Sequence, residues 1–209
     1  MSPSRSLALA AFLCPFLALV GLAFLTAACT ASPGAEGPAS PRAPLPLETL
    51  AGKPAHPLLE AERPAVCLLL VRTDCPISNR YAPEVRRLAE AFADTAEFWL
   101  VYCDPGETTE QIEAHRVAYG YPFPALRDPE LRVARSLDAR VTPEVAVFNA
   151  RRELVYVGRI DDRHVDFGKT RTAPTVRDLE QLLAALAAGD EPELRRTEAV
   201  GCPLPELVR

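Results

Sequence analysis

Val66-Cys67-Leu68-Leu69-Leu70-Val71 and Phe98-Trp99-Leu100-Val101-Tyr102 are uninterrupted apolar runs of strand length. Such strands are buried on both faces, which is the habit of a parallel sheet with helices packed against it. Parallel neighbours need a crossover connection, and the segment between the runs supplies one. Pro76 suits a first helical turn. Ile77, Tyr81, Val85, Leu88 and Phe92 then recur at spacings of 4, 4, 3 and 4. They make one apolar helical face, opposite Arg86, Arg87 and Glu90. A β-α-β unit with a right-handed crossover is predicted.

The remaining elements follow in order. Thr108 and Gln111 have capping-box spacing, and a helix runs from there to about Tyr119, where Pro122 and Pro124 end it. Ala125-Leu126 reads as a short strand and Glu130 to Leu137 as a short helix. Val145–Phe148 and Leu154–Val157 flank the turn Asn149-Ala150-Arg151-Arg152 as an antiparallel hairpin. Val176, Leu179, Leu182, Leu183 and Leu186 mark a last amphipathic helix, stopped near Gly189. The class is α/β: a central mixed sheet with a βαβ half and a ββα half, and helices on both faces. A length of 209 residues suits one domain with appendages. With 23 Lys and Arg against 28 Asp and Glu, the net charge is −5, so no basic face for nucleic acid is expected.

The appendages lie at the two ends. Residues 1–28 read as an export signal: Arg5, an uncharged run from Leu7 to Ala28, and small residues directly before Cys29. That ending resembles a bacterial lipoprotein signal, with Thr26 where Leu is usual, and makes Cys29 the candidate lipid attachment site. A plainly cleaved signal and an uncleaved membrane anchor stay open as alternatives. In each case the domain works outside the cytoplasm, in the cell envelope. Residues 29–57 are Pro-rich and without apolar period, and so are expected to form an extended tether. The domain is expected over 58–188, and a tail carrying Cys202 over 189–209.

Three motifs stand out. Thr73-Asp74-Cys75-Pro76-Ile77-Ser78 joins the first strand to its helix, Val141-Thr142-Pro143-Glu144 precedes the hairpin, and Val157-Gly158-Arg159-Ile160-Asp161 ends it. In this order, on this pattern of elements, they resemble the thioredoxin fold over roughly residues 58–188. Within it they resemble the exported bacterial redoxins of the alkyl hydroperoxide reductase/thiol-specific antioxidant group.

Cys75 is the candidate catalytic thiol. A helix N-terminus offers free N–H groups and the positive end of the dipole, and both favour a thiolate. Arg72 and Arg80 are near enough in sequence to add to this. Ser78 stands where the resemblance implies a second, resolving Cys; it can hydrogen-bond the thiolate or serve as a first-turn residue. A resolving thiol must therefore come from elsewhere. Cys67 begins its strand while Cys75 lies past the end, so Cys67 is expected to be an inert core residue. Cys103 ends the next strand on the same sheet edge, and Cys202 can return on the tail. Both stay open. The resemblance also makes Thr142-Pro143 a cis-proline loop facing Cys75, able to pair with an extended substrate segment. His115 is expected to be exposed among charges, and Asp161-Asp162-Arg163-His164 to be a solvated turn rather than a metal or acid-base cluster.

Three functions follow. In the first, a thiol-disulfide oxidoreductase, the Cys75 thiolate attacks a disulfide or sulfenic acid, and Cys202, Cys103 or an external thiol releases the mixed disulfide. In the second, a peroxidase, Cys75 attacks a peroxide and becomes a sulfenic acid. The resemblance implies Thr three residues before that Cys, where this chain has Arg72, with Thr73 two before. The third is non-enzymatic soft-metal binding, for which copper-delivering relatives use a second Cys four residues on, where this chain has Asn79. Expected partners are protein thiols and disulfides or peroxide, an external thiol reductant, and a membrane reached through the lipid. No cofactor or resident metal is expected.

Overall fold

The structure, a computed structural model, describes Leu45 and residues 47–205. The expected export signal, Cys29 and the tether up to Pro44 lie outside those residues. Its elements are β1 (Leu47–Thr49), β2 (Pro54–Ala55), α1 (Pro57–Glu60), β3 (Ala65–Val71), α2 (Pro76–Ala91), β4 (Ala96–Tyr102), α3 (Thr109–Tyr119), β5 (Ala125–Arg127), α4 (Arg132–Ser136), β6 (Val141–Thr142), β7 (Glu144–Phe148), β8 (Leu154–Gly158), β9 (His164–Asp166), β10 (Lys169–Thr170), α5 (Asp178–Ala187), β11 (Arg195–Arg196) and β12 (Cys202–Pro203).

β3 and β4 are the paired centre of an eight-stranded mixed sheet, ordered β11-β8-β7-β3-β4-β5-β1-β2. They run parallel, in register from Ala65↔Ala96 to Val71↔Tyr102. β5 continues the parallel half beyond β4, while β7 pairs antiparallel with β3 and, across the hairpin, with β8. Side chains alternate between two cores, one on each face. Cys67, Leu69 and Val71 point into the core shared with Val85 and Leu88 of α2 and Leu179 and Leu183 of α5. Val66, Leu68 and Leu70 point into the other, shared with Leu58 of α1 and Val133 of α4. The helix start at Thr108 is a complete capping box, with Thr108 Oγ1 accepting from the Gln111 amide and Gln111 Oε1 from the Thr108 amide.

Three expectations need correction. The packed domain begins before residue 58: β1 joins the β5 edge antiparallel, and Leu45, Leu47 and Ala55 are buried. Three apolar side chains among prolines are enough to cover that edge, although they show no period. His115 is buried rather than exposed, because it and Ile112 make the inner face of α3. Asp161, Asp162 and His164 are buried too. Asp161 accepts from the Tyr81 hydroxyl, the Asp162 carboxylate takes the amides of Thr175 and Val176, and the His164 ring lies against Tyr81. That segment is a structural knot rather than a solvated turn. Among the described residues no three His, Cys, Asp or Glu side chains form a metal-binding group, and no helix is long and apolar enough to cross a membrane.

Candidate active site

Cys75 is the N-cap residue of α2. Its Sγ accepts the Ser78 amide at 3.3 Å and, as a thiol, donates to the Thr142 carbonyl at 2.9 Å. The Thr142–Pro143 peptide is cis. The hydroxyls of Ser78 and Thr142 are both buried, and neither has a partner other than the Cys75 sulfur. Burial raises the pKa of the Cys75 thiol, but hydrogen bonding from Cys202, Ser78 and Thr142 outweighs it and leaves the thiol below its ordinary value. Arg72 adds less than its position promises: its guanidinium pairs with Asp74 and Asp104, each at 3.0 Å. Arg80 is exposed.

The tail closes the site. After α5 the chain returns as β11, parallel to β8, and Thr197 crosses directly over Gly158. A Cβ on Gly158 would meet the Thr197 hydroxyl at 2.2 Å. β12 then pairs antiparallel with β6, Cys202 opposite Thr142 and Pro203 opposite Val141. Arg72 donates to the Pro203 carbonyl at 3.1 Å, and the Leu204 amide donates to the Arg140 carbonyl at 2.9 Å. Gly201 comes so close to β6 that a Cβ there would lie 2.3 Å from the Thr142 oxygen. This path sets the Cys202 side chain against Cys75. Burial and the neighbouring Cys75 push the Cys202 thiol up to about 11. Cys75 is fully covered, at 0 % exposure, while Cys202 is partly accessible.

The other candidate thiols are not brought to the site. Cys103 packs in the opposite core, among Val101 and Leu126, and burial, with Asp128 adding to it, pushes its thiol well above the ordinary range. Strand alternation explains this, since sharing an edge with Cys75 does not mean sharing a face. Cys67 is a buried core residue whose thiol burial pushes far up.

Sequence reading missed the groups that hold the loop before Cys75. The Thr73 amide donates to Glu107 Oε1, and the Thr73 carbonyl accepts from Asn79 Nδ2 at 3.1 Å. Asn79 Oδ1 lies 2.8 Å from His115 Nε2, and His115 Nδ1 lies 2.8 Å from the Tyr102 hydroxyl. Since Asn79 Oδ1 can only accept, Nε2 carries a proton. Burial pushes the His115 pKa down, which favours the neutral ring, whose Nδ1 accepts from the Tyr102 hydroxyl. Both backbone polar groups of Thr73 are thus fixed, two residues before Cys75. The signal available in sequence was only that Asn79 lies in the first turn of α2 and that Tyr102 ends β4.

The family model that matches is the AhpC/TSA family, over residues 48–157, just over half of the chain. No curated protein matches. Among solved structures, a hypothetical protein from Sinorhizobium meliloti is similar at TM-score 0.65 and 26% identity, covering 78% of this chain and 90% of its own. An uncharacterized conserved protein from Geobacillus kaustophilus gives 0.67 and 23%, covering 79% and 89%. A thioredoxin-like protein from Aeropyrum pernix gives 0.51 and 15%, covering 69% and 89%, and shares the fold. The tail strands β11 and β12 lie beyond the part that the family model matches.

Proposed function

The chain belongs to the AhpC/TSA family, whose members are thiol oxidoreductases and peroxidases, and from that premise we propose that it is an extracytoplasmic thiol-disulfide oxidoreductase working through Cys75 and Cys202. The observation that carries this reading is the strand register that sets Cys202 opposite Thr142 and beside Cys75. The Cys75 thiolate attacks one sulfur of a partner disulfide. A Cys75–partner bond forms, and the other partner sulfur leaves with the electron pair and takes a proton. Cys202 then loses its proton and attacks Cys75 Sγ, so that the second partner thiol departs and a Cys75–Cys202 disulfide remains. The partner has gained two electrons and the enzyme has lost them. An external dithiol reverses the enzyme's half, and relative reduction potentials set the direction.

A disulfide is favoured over a peroxide because Arg72 stands where the peroxidase pattern has Thr. Its guanidinium is engaged by Asp74, Asp104 and the tail, so no hydroxyl is aimed at the sulfur from that position. Peptide mapping after mild oxidation tests the pairing. A Cys75–Cys202 link is expected, and a Cys75–Cys103 link, or only dimers joined through Cys202, overturns it.

Export is supported by the uncharged run from Leu7 to Ala28, and lipid attachment at Cys29 by the small residues before it. Mass spectrometry of the mature N-terminus is expected to find a lipid-modified Cys29. An intact Met1, or an unmodified soluble start, rules lipid attachment at Cys29 out.

A further inference from the structure

We propose that residues Gly201–Leu204 are a tethered stand-in for the extended partner segment that the resemblance implies at the cis-proline edge, and that this edge selects a chain in which glycine precedes the reactive cysteine. This rests on the Cys75 reading above and adds to it the tail's role and the partner's local sequence.

The first argument is access. Cys75 has no exposed surface while β12 is docked, so a partner disulfide reaches it only after the tail has left. Departure strips partners from the Arg140 carbonyl, from the β6 backbone and from one arm of Arg72. An incoming chain that follows the same path satisfies all of them, as β-strand addition does elsewhere. A small thiol cannot.

The second argument is the tail's weak hold. Over residues 198–205 only Gly201 is fully buried, and β12 is two residues long. Segments with so little buried surface open at low free-energy cost. The tail is therefore held well enough to close over Cys75 and loosely enough to be exchanged.

The third argument sets the sequence. A Cβ at position 201 would lie 2.3 Å from the Thr142 oxygen and 2.7 Å from its carbon, both backbone atoms that cannot swing aside. Any chain that takes this path with its cysteine at the position of Cys202 meets the same obstacle one residue earlier. Glycine there passes, and every side chain forces the strand off the edge.

The test uses full-length protein and two synthetic hexapeptides, Val-Gly-Cys-Pro-Leu-Pro and Val-Ala-Cys-Pro-Leu-Pro. Each carries its cysteine as a mixed disulfide with thionitrobenzoate. The Cys75 thiolate attacks the peptide sulfur, a Cys75–peptide disulfide forms, and coloured thionitrobenzoate leaves with the electron pair. In Cys202→Ser the tail docks without its thiol. In Gly201→Ala/Cys202→Ser the added Cβ displaces it. Colour that persists when Cys75→Ser is added to either background is subtracted.

The displaced-tail variant is expected to couple faster than Cys202→Ser, and in it the glycine peptide is expected to outpace the alanine peptide by about tenfold or more, equivalent to roughly 1.4 kcal/mol. The same preference is expected in Cys202→Ser alone, at lower absolute rates, because the tail opens transiently there; the test thus does not depend on the double variant folding. Equal rates for the two peptides overturn the proposal, as does a Cys202→Ser rate matching that of the displaced-tail variant. Prompt reaction of Cys75 with free dithiobis(nitrobenzoate) but no peptide preference removes only this inference. A Cys75 inert to both reagents in the displaced-tail variant removes the proposed function itself.

Discussion

Serine at position 75 is expected to reduce disulfide exchange to background, a loss on the order of 10⁴-fold or more if the nucleophile behaves as nucleophiles do elsewhere. The measurement is reduction of a protein disulfide coupled to a dithiol, comparing wild type with Cys75→Ser. Loss of less than about tenfold would mean that another thiol carries the reaction. A pH series adds a second readout. The folded Cys75 thiol ionises below its ordinary value of 9.0, so the wild-type rate should rise with pH and level off before 9. The same shift links ionisation to stability. The native state binds the Cys75 proton more weakly than the unfolded chain. The thiolate's contribution is thus complete above the unfolded value and fades as pH falls through the lower folded one. The stability gap between reduced wild type and Cys75→Ser should widen with pH across that interval.

Cys202→Ser is expected to keep the first half of the reaction and lose the second. Mixed disulfides between Cys75 and partner proteins should accumulate and be recoverable on non-reducing gels. A tethered thiol acts at an effective concentration of millimolar order or above, so turnover with about 10 μM external thiol should fall roughly a hundredfold. Unchanged turnover, with no trapped partner, would show that Cys202 is a bystander.

What could be read from the sequence was what is local. Val66–Val71 and Phe98–Tyr102 announce buried parallel strands because each run carries its own evidence. The capping box at Thr108 and the helix start at Cys75 are likewise set by residues within a turn of one another. His115 failed for the opposite reason. Its neighbours Glu113 and Arg116 are charged, and its real partners, Asn79 and Tyr102, lie 36 and 13 residues away. Glu107 sits in a turn whose partner, the Thr73 amide, is 34 residues back. β1 was hidden because three residues among prolines give no period, and only the free edge of β5 makes them a strand. Cys202 is intermediate. Its place on the tail leaves a return to Cys75 open, but the β6 edge that receives the tail becomes visible only once the hairpin is built.

The Arg72–Pro203 hydrogen bond spans 131 residues. A chain made from its N-terminus at about 5–20 residues per second carries Cys75 for roughly 6–25 s before that last contact can exist. By then the residues of both strands beside the Cys75 sulfur, of its helix and of the cis-proline loop have been made, and only the cover is missing. Under the proposed function the thiol thus precedes its guard in the order of the chain, and any form that lacks the tail offers Cys75 to oxidant or thiol as the finished molecule does only when its tail lifts.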